Sequence, residues 1–309
     1  MIFGARGVLV SLAFFATVYC PLSLLTLLAW WTAKRIRVAT HAGSANLAFG
    51  LRIFPFALSV VVTLFFTFPS FWLLERASPD EDAATFVLAL CALCILGAGL
   101  YRVLKVQART MHTVQGWLSG KTNIDSARTP ELSASRGAPP LILVGIRRPR
   151  VMISDTASAL LSDGELHAAV RHEIGHALSW DNLKKVLVSA TPFPGMGGLE
   201  RAWNEAAELA ADDRAVTNRR EALDLASALI KLSRSFQPLP APILASELVS
   251  GSSINLRVDR LLKWRTAGQH TRHRWPWALP VLLTLIVGIA SHYGAALVLT
   301  HRLTELLVP

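Results

Sequence analysis

Residues 162–176 read Ser162-Asp163-Gly164-Glu165-Leu166-His167-Ala168-Ala169-Val170-Arg171-His172-Glu173-Ile174-Gly175-His176. Ser162 and Glu165 have the spacing of a capping box, so a helix is predicted to start there. That helix carries His172 and His176 four residues apart, just over one turn, so both imidazoles leave the same face. Two ligands of one zinc ion need this placement, and Glu173 falls beside the first of them, where it can take a proton from a water rather than bind metal. His167 lies outside the pattern and is read as a surface residue.

A zinc site that does chemistry keeps three protein ligands and one open position, so a further His or carboxylate is expected on a nearby helix. The stretch Glu200 to Val216 is Ala-rich, free of Gly and Pro, and is predicted to be a helix able to approach another backbone closely. It offers Glu208 and Asp212 at i and i+4. One can bind metal while the other orients a ligand histidine through its second ring nitrogen. Glu208 is the expected third ligand, with Glu200 and Glu205 as competing candidates. Asp181 is expected to cap a helix beginning at Asn182 rather than to reach the metal.

Outward from this segment the chain turns apolar. Of 309 residues, 52% are hydrophobic and 17% charged, less charge than a soluble domain carries, which points to a membrane protein. Four uncharged stretches are long enough to cross a hydrocarbon core: 7–31, 53–74, 83–101 and 275–299. The first is too long for the apolar part of a signal peptide and is read as a retained span. Lys34, Arg35, Arg37 and Arg52 mark the loop after it as cytoplasmic, and Asp80, Glu81 and Asp82 place the next loop outside. Arg102, Lys105 and Arg109 on one side and Arg265, Arg272 and Arg274 on the other bracket the central segment as cytoplasmic, which leaves both termini outside. This pattern accounts for much of the formal net charge of +10. No basic stripe, helix-turn-helix or zinc-finger spacing supports direct nucleic-acid binding.

The expected organisation is a mainly α membrane protein with three transmembrane helices in 1–106, a cytoplasmic domain over 107–274, and a fourth span in 275–309. Within the domain, Ser126 to Pro140 reads as a linker or exposed loop. Leu141 to Val144 and Val151 to Ile153 read as strands of a short hairpin or bent edge. Two uncharged segments stand apart: Val186 to Leu199, too short to span and expected against the bilayer or other helices, and Phe236 to Ser246, a Pro-rich loop able to cover a cleft. Cys20, Cys91 and Cys94 lie in apolar runs and are read as packing residues.

The ordered set Gly145 to Ile153, Leu161 to Leu166, His172 to His176 with Asp181-Asn182-Leu183, and Glu208 to Asp212 resembles the membrane metallopeptidases of the beta-lactam sensor and methicillin-resistance regulator type. The order of spans resembles them too, with three before the zinc domain and one after. The resemblance implies a gluzincin-like α+β zinc peptidase domain inserted between the third and fourth spans. It implies one Zn2+ per chain held by His172, His176 and Glu208, Glu173 as catalytic base, and Asp212 behind a ligand histidine. It also implies that Val151, Met152 and Ile153 line the substrate cleft as a sheet edge to which a peptide adds. The sensors carry a penicillin-binding domain after the last span, whereas this chain stops at Pro309, so beta-lactam sensing is not carried over.

The expected activity is zinc-dependent hydrolysis of a peptide bond in a protein substrate at the cytoplasmic face of the cell membrane. A transcriptional repressor or the chain itself is the partner such regulatory proteolysis implies. A quality-control protease of the HtpX type would use the same site, and a non-catalytic receptor or scaffold is the rival of another class. A transporter would place charges or broken helices within its spans, and the four stretches hold no charge.

Overall fold

The computed structural model describes residues 2–35, 45–75, 82–118, 121–123, 132–135, 140–235, 245–247, 254–264 and 291–307. The chain is mostly helical with few strands. Helix α1 spans Ile2–Arg35. Helices α2 (Ala45–Val62) and α3 (Phe68–Leu74) are joined by a π turn at Thr63–Thr67, and α4 spans Ala83–Leu118. Among the described residues three segments are long and apolar enough to cross a membrane: Phe3–Ala33, Ala45–Leu74 and Ala83–His112. The first three expected spans lie inside these helices, each of which runs beyond the uncharged stretch. Most of the fourth, 275–299, falls outside the described residues. A last helix, α11, covers Tyr293–Leu307, and its Tyr293 hydroxyl donates to Phe65 O in the π turn, 2.7 Å away. A π turn widens the helix and changes its hydrogen-bond register, so such a carbonyl is available to an outside donor.

Among the described residues five strands follow the third apolar helix: β1 (Lys121–Asn123), β2 (Leu132–Ser135), β3 (Leu141–Val144), β4 (Arg150–Ser154) and β5 (Ala245–Glu247), in the order β1-β2-β4-β3-β5. The predicted hairpin is present, with Leu141 opposite Ile153 and Leu143 opposite Val151. Leu141, Leu143, Val151 and Ile153 face a helical core, while Ile142 and Met152 pack on the other face, so both sides of the hairpin are buried.

Two expectations are corrected here. Residues 126–140 are not all linker, because β2 lies within them and pairs in parallel with β4. As a result Val151, Met152 and Ile153 form an interior strand, paired with β2 on one side and β3 on the other. Their main chain has no free edge to offer a peptide, and their side chains are buried.

Helices α5 (Asp155–Leu160), α6 (Asp163–Leu178), α7 (Asp181–Ala190), α8 (Gly197–Ala215), α9 (Arg219–Ser235) and α10 (Ile254–Leu262) complete the domain. Ala168 and Ala169 of α6, Leu225 and Leu229 of α9, and Leu261 of α10 close one core over the sheet.

The uncharged segment 186–199 seats this domain among the apolar helices. Phe193 meets the Tyr19 ring of α1 edge-on at 5.6 Å, and the Tyr19 hydroxyl donates to Pro192 O at 3.1 Å. Gly99 of α4 passes so close that a Cβ there would stand 2.2 Å from Ala190 O, so no larger residue fits.

Arg52 is the central joint. It is not a loop charge, as the sequence suggested, because the second helix begins at Ala45, and its side chain is buried. Its Nη2 donates to Thr191 O (2.7 Å) and Val188 O (3.4 Å), its Nη1 to Thr191 Oγ1 (3.0 Å), and its Nε to Glu200 Oε1 (2.9 Å). One guanidinium thus satisfies the carbonyls that the end of α7 leaves open and pairs with the first turn of α8. Replacing Arg52 by Met strands the buried acceptors Thr191 O and Val188 O at a cost of about 1–3 kcal/mol, the usual penalty for a buried polar group left unpaired. The expected readout is a lower thermal midpoint of the detergent-solubilised protein, with a smaller loss in Glu200→Gln, which keeps the carbonyl bonds.

Candidate metal centre

Helix α6 starts where its sequence says it should. The Ser162 amide donates to Glu165 Oε2 at 2.8 Å, and the Ser162 hydroxyl accepts from the Glu165 amide at 3.5 Å. Two further donors fix Glu165 against α9: Ser227 Oγ at 2.5 Å and Lys231 Nζ at 2.7 Å. The start of the helix that bears both histidines is therefore anchored to the core.

Its far end is pressed against α8. A Cβ at Gly175 would meet Ala211 Cα at 3.3 Å and Ala211 O at 3.4 Å, tighter than most carbon contacts, so the glycine between the two histidines sets how closely the helices approach. The Ala-rich face of α8 then brings Glu208 opposite His172 and His176.

The three donors converge. His172 Nε2 and His176 Nε2 are 3.1 Å apart, Glu208 Oε2 lies 3.5 Å from the first, and Glu208 Oε1 lies 3.6 Å from the second. The group could hold a metal ion, and its ligand atoms all lie within 4.8 Å of one another. Two imidazoles and one carboxylate at such spacing suit a small tetrahedral ion with a position left over. Glu208 is 13% exposed while His172 is fully buried.

Each histidine is held from behind by a carboxylate. Asp212 Oδ1 is 2.9 Å from His172 Nδ1, and Asp181 Oδ2 is 2.7 Å from His176 Nδ1. At His176, where the contact is a hydrogen bond, an acceptor at Nδ1 favours the tautomer whose Nε2 lone pair is free to bind a metal, whereas Asp212 stands beside His172 Nδ1 at ion-pair distance without hydrogen-bond geometry. Asp212 lies behind His172, where the sequence places it, whereas the part of Asp181 is corrected. Helix α7 begins at Asp181 itself, and its cap is Trp180, a left-handed residue with φ 57° and no side-chain bond to the helix. Asp181 instead carries the chain from His176 outward: Lys184 Nζ is 3.5 Å from its Oδ1, and Lys184 donates to Asn46 Oδ1 at 3.0 Å.

Glu173 is buried, and neither carboxylate oxygen has a protein hydrogen-bond partner among the described residues. Burial raises its pKa, against the pull of His172 and His176. Of the other candidates, Glu200 is taken by Arg52, Glu205 stands outside the donor group, and His167 is exposed.

Arg257 of α10 was not anticipated. Its guanidinium is fully buried and grips Asp212 through Nε (2.8 Å to Oδ2) and Nη2 (2.8 Å to Oδ1), with Nη1 3.0 Å from Glu208 Oε2. Burial alone would push the acids up, but Arg257 and the histidines hold Glu208 at about 2 and Asp212 lower still. Burial opposes charge on His172, yet Asp212 and Glu208 outweigh it and raise the imidazole to about 9. Lys185 adds a cation facing Glu208, Asp181 and Glu173, with burial lowering its pKa. No local spacing points to Arg257, which lies 45 residues past Asp212. The only signal was the excess of acids on α8, which demands a cation without naming it.

The anchor of α6 gives a pH test. Burial would raise Glu165, but Lys231, Ser227 and Ser162 lower it from 4.5 to about 2. A depressed folded pKa contributes stability above the unfolded value and loses it as pH falls toward the folded one. Acid unfolding of the wild type should therefore steepen between pH about 4.5 and about 2. In Glu165→Gln that limb should flatten, as followed by circular dichroism.

Neither the models of known protein families nor the curated proteins compared with this sequence give a match.

Proposed function

We propose that this protein is a zinc-dependent membrane endopeptidase that cleaves a protein substrate at the membrane face. The observation that carries this reading is Glu173, a buried carboxylate with no protein partner among the described residues, one position from His172 in a His-His-Glu donor set. Leaving a buried acid without a donor costs free energy, and such groups are kept where chemistry uses them.

His172, His176 and Glu208 would hold the zinc. Bound there, zinc supplies Lewis acidity, acidifying water and polarising a carbonyl oxygen. Glu173 takes the proton released as water attacks the scissile carbonyl, and passes it to the departing amine nitrogen. Burial raises its pKa, which favours taking up that proton. Asp181 would keep His176 in the tautomer a ligand needs, and Asp212 stands behind His172 at ion-pair distance.

The regulatory part of the proposal draws on the joint between membrane and site. Arg52 on the second apolar helix binds the ends of both α7, which carries Asp181, and α8, which carries Glu208. A displacement of that helix would be felt at two supports of the donor set. The orientation follows from the basic residues around the spans, with the peptidase domain cytoplasmic and both termini outside. In this reading the substrate is a cytoplasmic protein such as a transcriptional repressor, or the chain itself, as in the sensor-type peptidases it resembles.

Purified protein in detergent should contain about one zinc per chain, lost in Glu208→Ala and kept in Glu205→Ala, by elemental analysis. Glu173→Gln should retain the metal yet cleave an unstructured reporter protein roughly 100-fold or more slowly, the scale of general acid–base catalysis. A zinc-free wild type after zinc addition would overturn the proposal. Zinc with unchanged cleavage in Glu173→Gln would remove Glu173 from the chemistry.

A further inference from the structure

We infer, building on the zinc-peptidase reading, that Arg257 is a positioning residue for the metal centre, setting two of its three donors from a single side chain. The geometry is specific to a guanidinium. Nε and Nη2 form a fork with both oxygens of Asp212, each bond 2.8 Å, and this fixes the carboxylate plane. Asp212 Oδ1 is also 2.9 Å from His172 Nδ1, at ion-pair distance without hydrogen-bond geometry, and Arg257 Nη2 itself lies 3.5 Å from His172 Nε2, so the guanidinium and the carboxylate it fixes confine that ring from both nitrogens. The third nitrogen, Nη1, stands 3.0 Å from Glu208 Oε2. Oε2 has no hydrogen-bond partner among the described residues, so Nη1 acts on it by charge at close range, while Oε2 and Oε1 face His172 Nε2 and His176 Nε2 at 3.5 and 3.6 Å. Arg257 thereby holds the Glu208 carboxylate beside the two imidazoles. A lysine, a single point charge, cannot make the fork and reach Glu208 together.

A cation beside a metal site also repels the metal, and the two effects act in opposite directions. Glu173, Glu208, Asp212 and Asp181 surround the donors, and a divalent ion balances only two of these acids. The guanidinium therefore offsets surplus negative charge, and its ordering of the ligands outweighs its repulsion.

The helix that delivers Arg257 contains its own control. Arg260, one turn on, donates to Asp213 Oδ2 at 2.8 Å and to Leu209 O at 3.2 Å. It docks α10 on α8 without touching a donor or Asp212.

The test is zinc affinity of the full-length protein in detergent, by competition with a chromophoric chelator, together with the thermal midpoint with and without zinc. Arg257→Met should bind zinc roughly 10- to 100-fold more weakly, the range seen when groups behind metal ligands are removed. Arg257→Lys should fall in the same direction and carries the test if the Met variant does not fold. Arg260→Met should lower the zinc-free midpoint and leave affinity within about twofold, as expected for a residue that makes no contact with the donor set. Equal losses of affinity in Arg257→Met and Arg260→Met would reduce Arg257 to helix docking and overturn the inference. Unchanged or tighter zinc in Arg257→Met would overturn it as well, by showing that repulsion dominates. Wild type that takes up no zinc would instead overturn the peptidase reading, and this inference with it.

Discussion

Carboxylates buried side by side must find compensating charge, and this domain is arranged around that constraint. Glu173, Asp181 and Asp212 are all buried, with Glu208 nearly so, within reach of two imidazoles. Moving one carboxylate out of water costs several kcal/mol even after relaxation, so the cluster is tolerable only with cations and hydrogen bonds around it. Arg257 offsets one side of it and Lys185 contributes positive charge to the rest, and the donor set is a group that could hold a metal ion. Everything else in the domain serves to bring these groups together. The capping box anchors α6, the glycine at 175 lets α8 close in, and the sheet supplies the floor.

The parts legible in the sequence are those that local spacing controls. A four-residue interval on a helix places His172 and His176 together whatever the rest of the chain does, and an Ala-rich run containing Glu208 and Asp212 forms a helix on propensity. The hairpin was readable for the same reason. Legibility ends where pairing is non-local. Nothing near Val151 reveals that residues 132–135 lie against it, so a strand read as an edge is interior. Asp181 has a side chain suited to capping, and only the fold shows that the same oxygen reaches His176. Arg52 sits where apolar sequence begins and reads naturally as a flanking charge, until the helix is seen to start at Ala45 and the domain to pack on it.

Arg52 and Arg257 together describe how membrane and site are joined. Both are buried guanidiniums, and both bind α8, one at its first turn and one beside Glu208 and Asp212. The helix that supplies the third donor is thus gripped at one end from the apolar helices and at the other from α10. Such a helix has little freedom to move unless one grip changes. A hydrogen-bonded link through Asp181, Lys184 and Asn46 connects His176 to the start of the second apolar helix as well.

The seating of residues 190–196 between α1, α2 and α4 means that the boundary drawn along the chain is not a boundary in space. A fragment beginning after α4 would carry all the donors yet bare Phe193, Leu199 and Trp203 to water. It would also leave the end of α7 without the side chain that finishes it. The donor-bearing domain thus shares its packing with helices far away in sequence. Homologous domain swaps and truncations of this protein would need to exchange the first three helices along with the site.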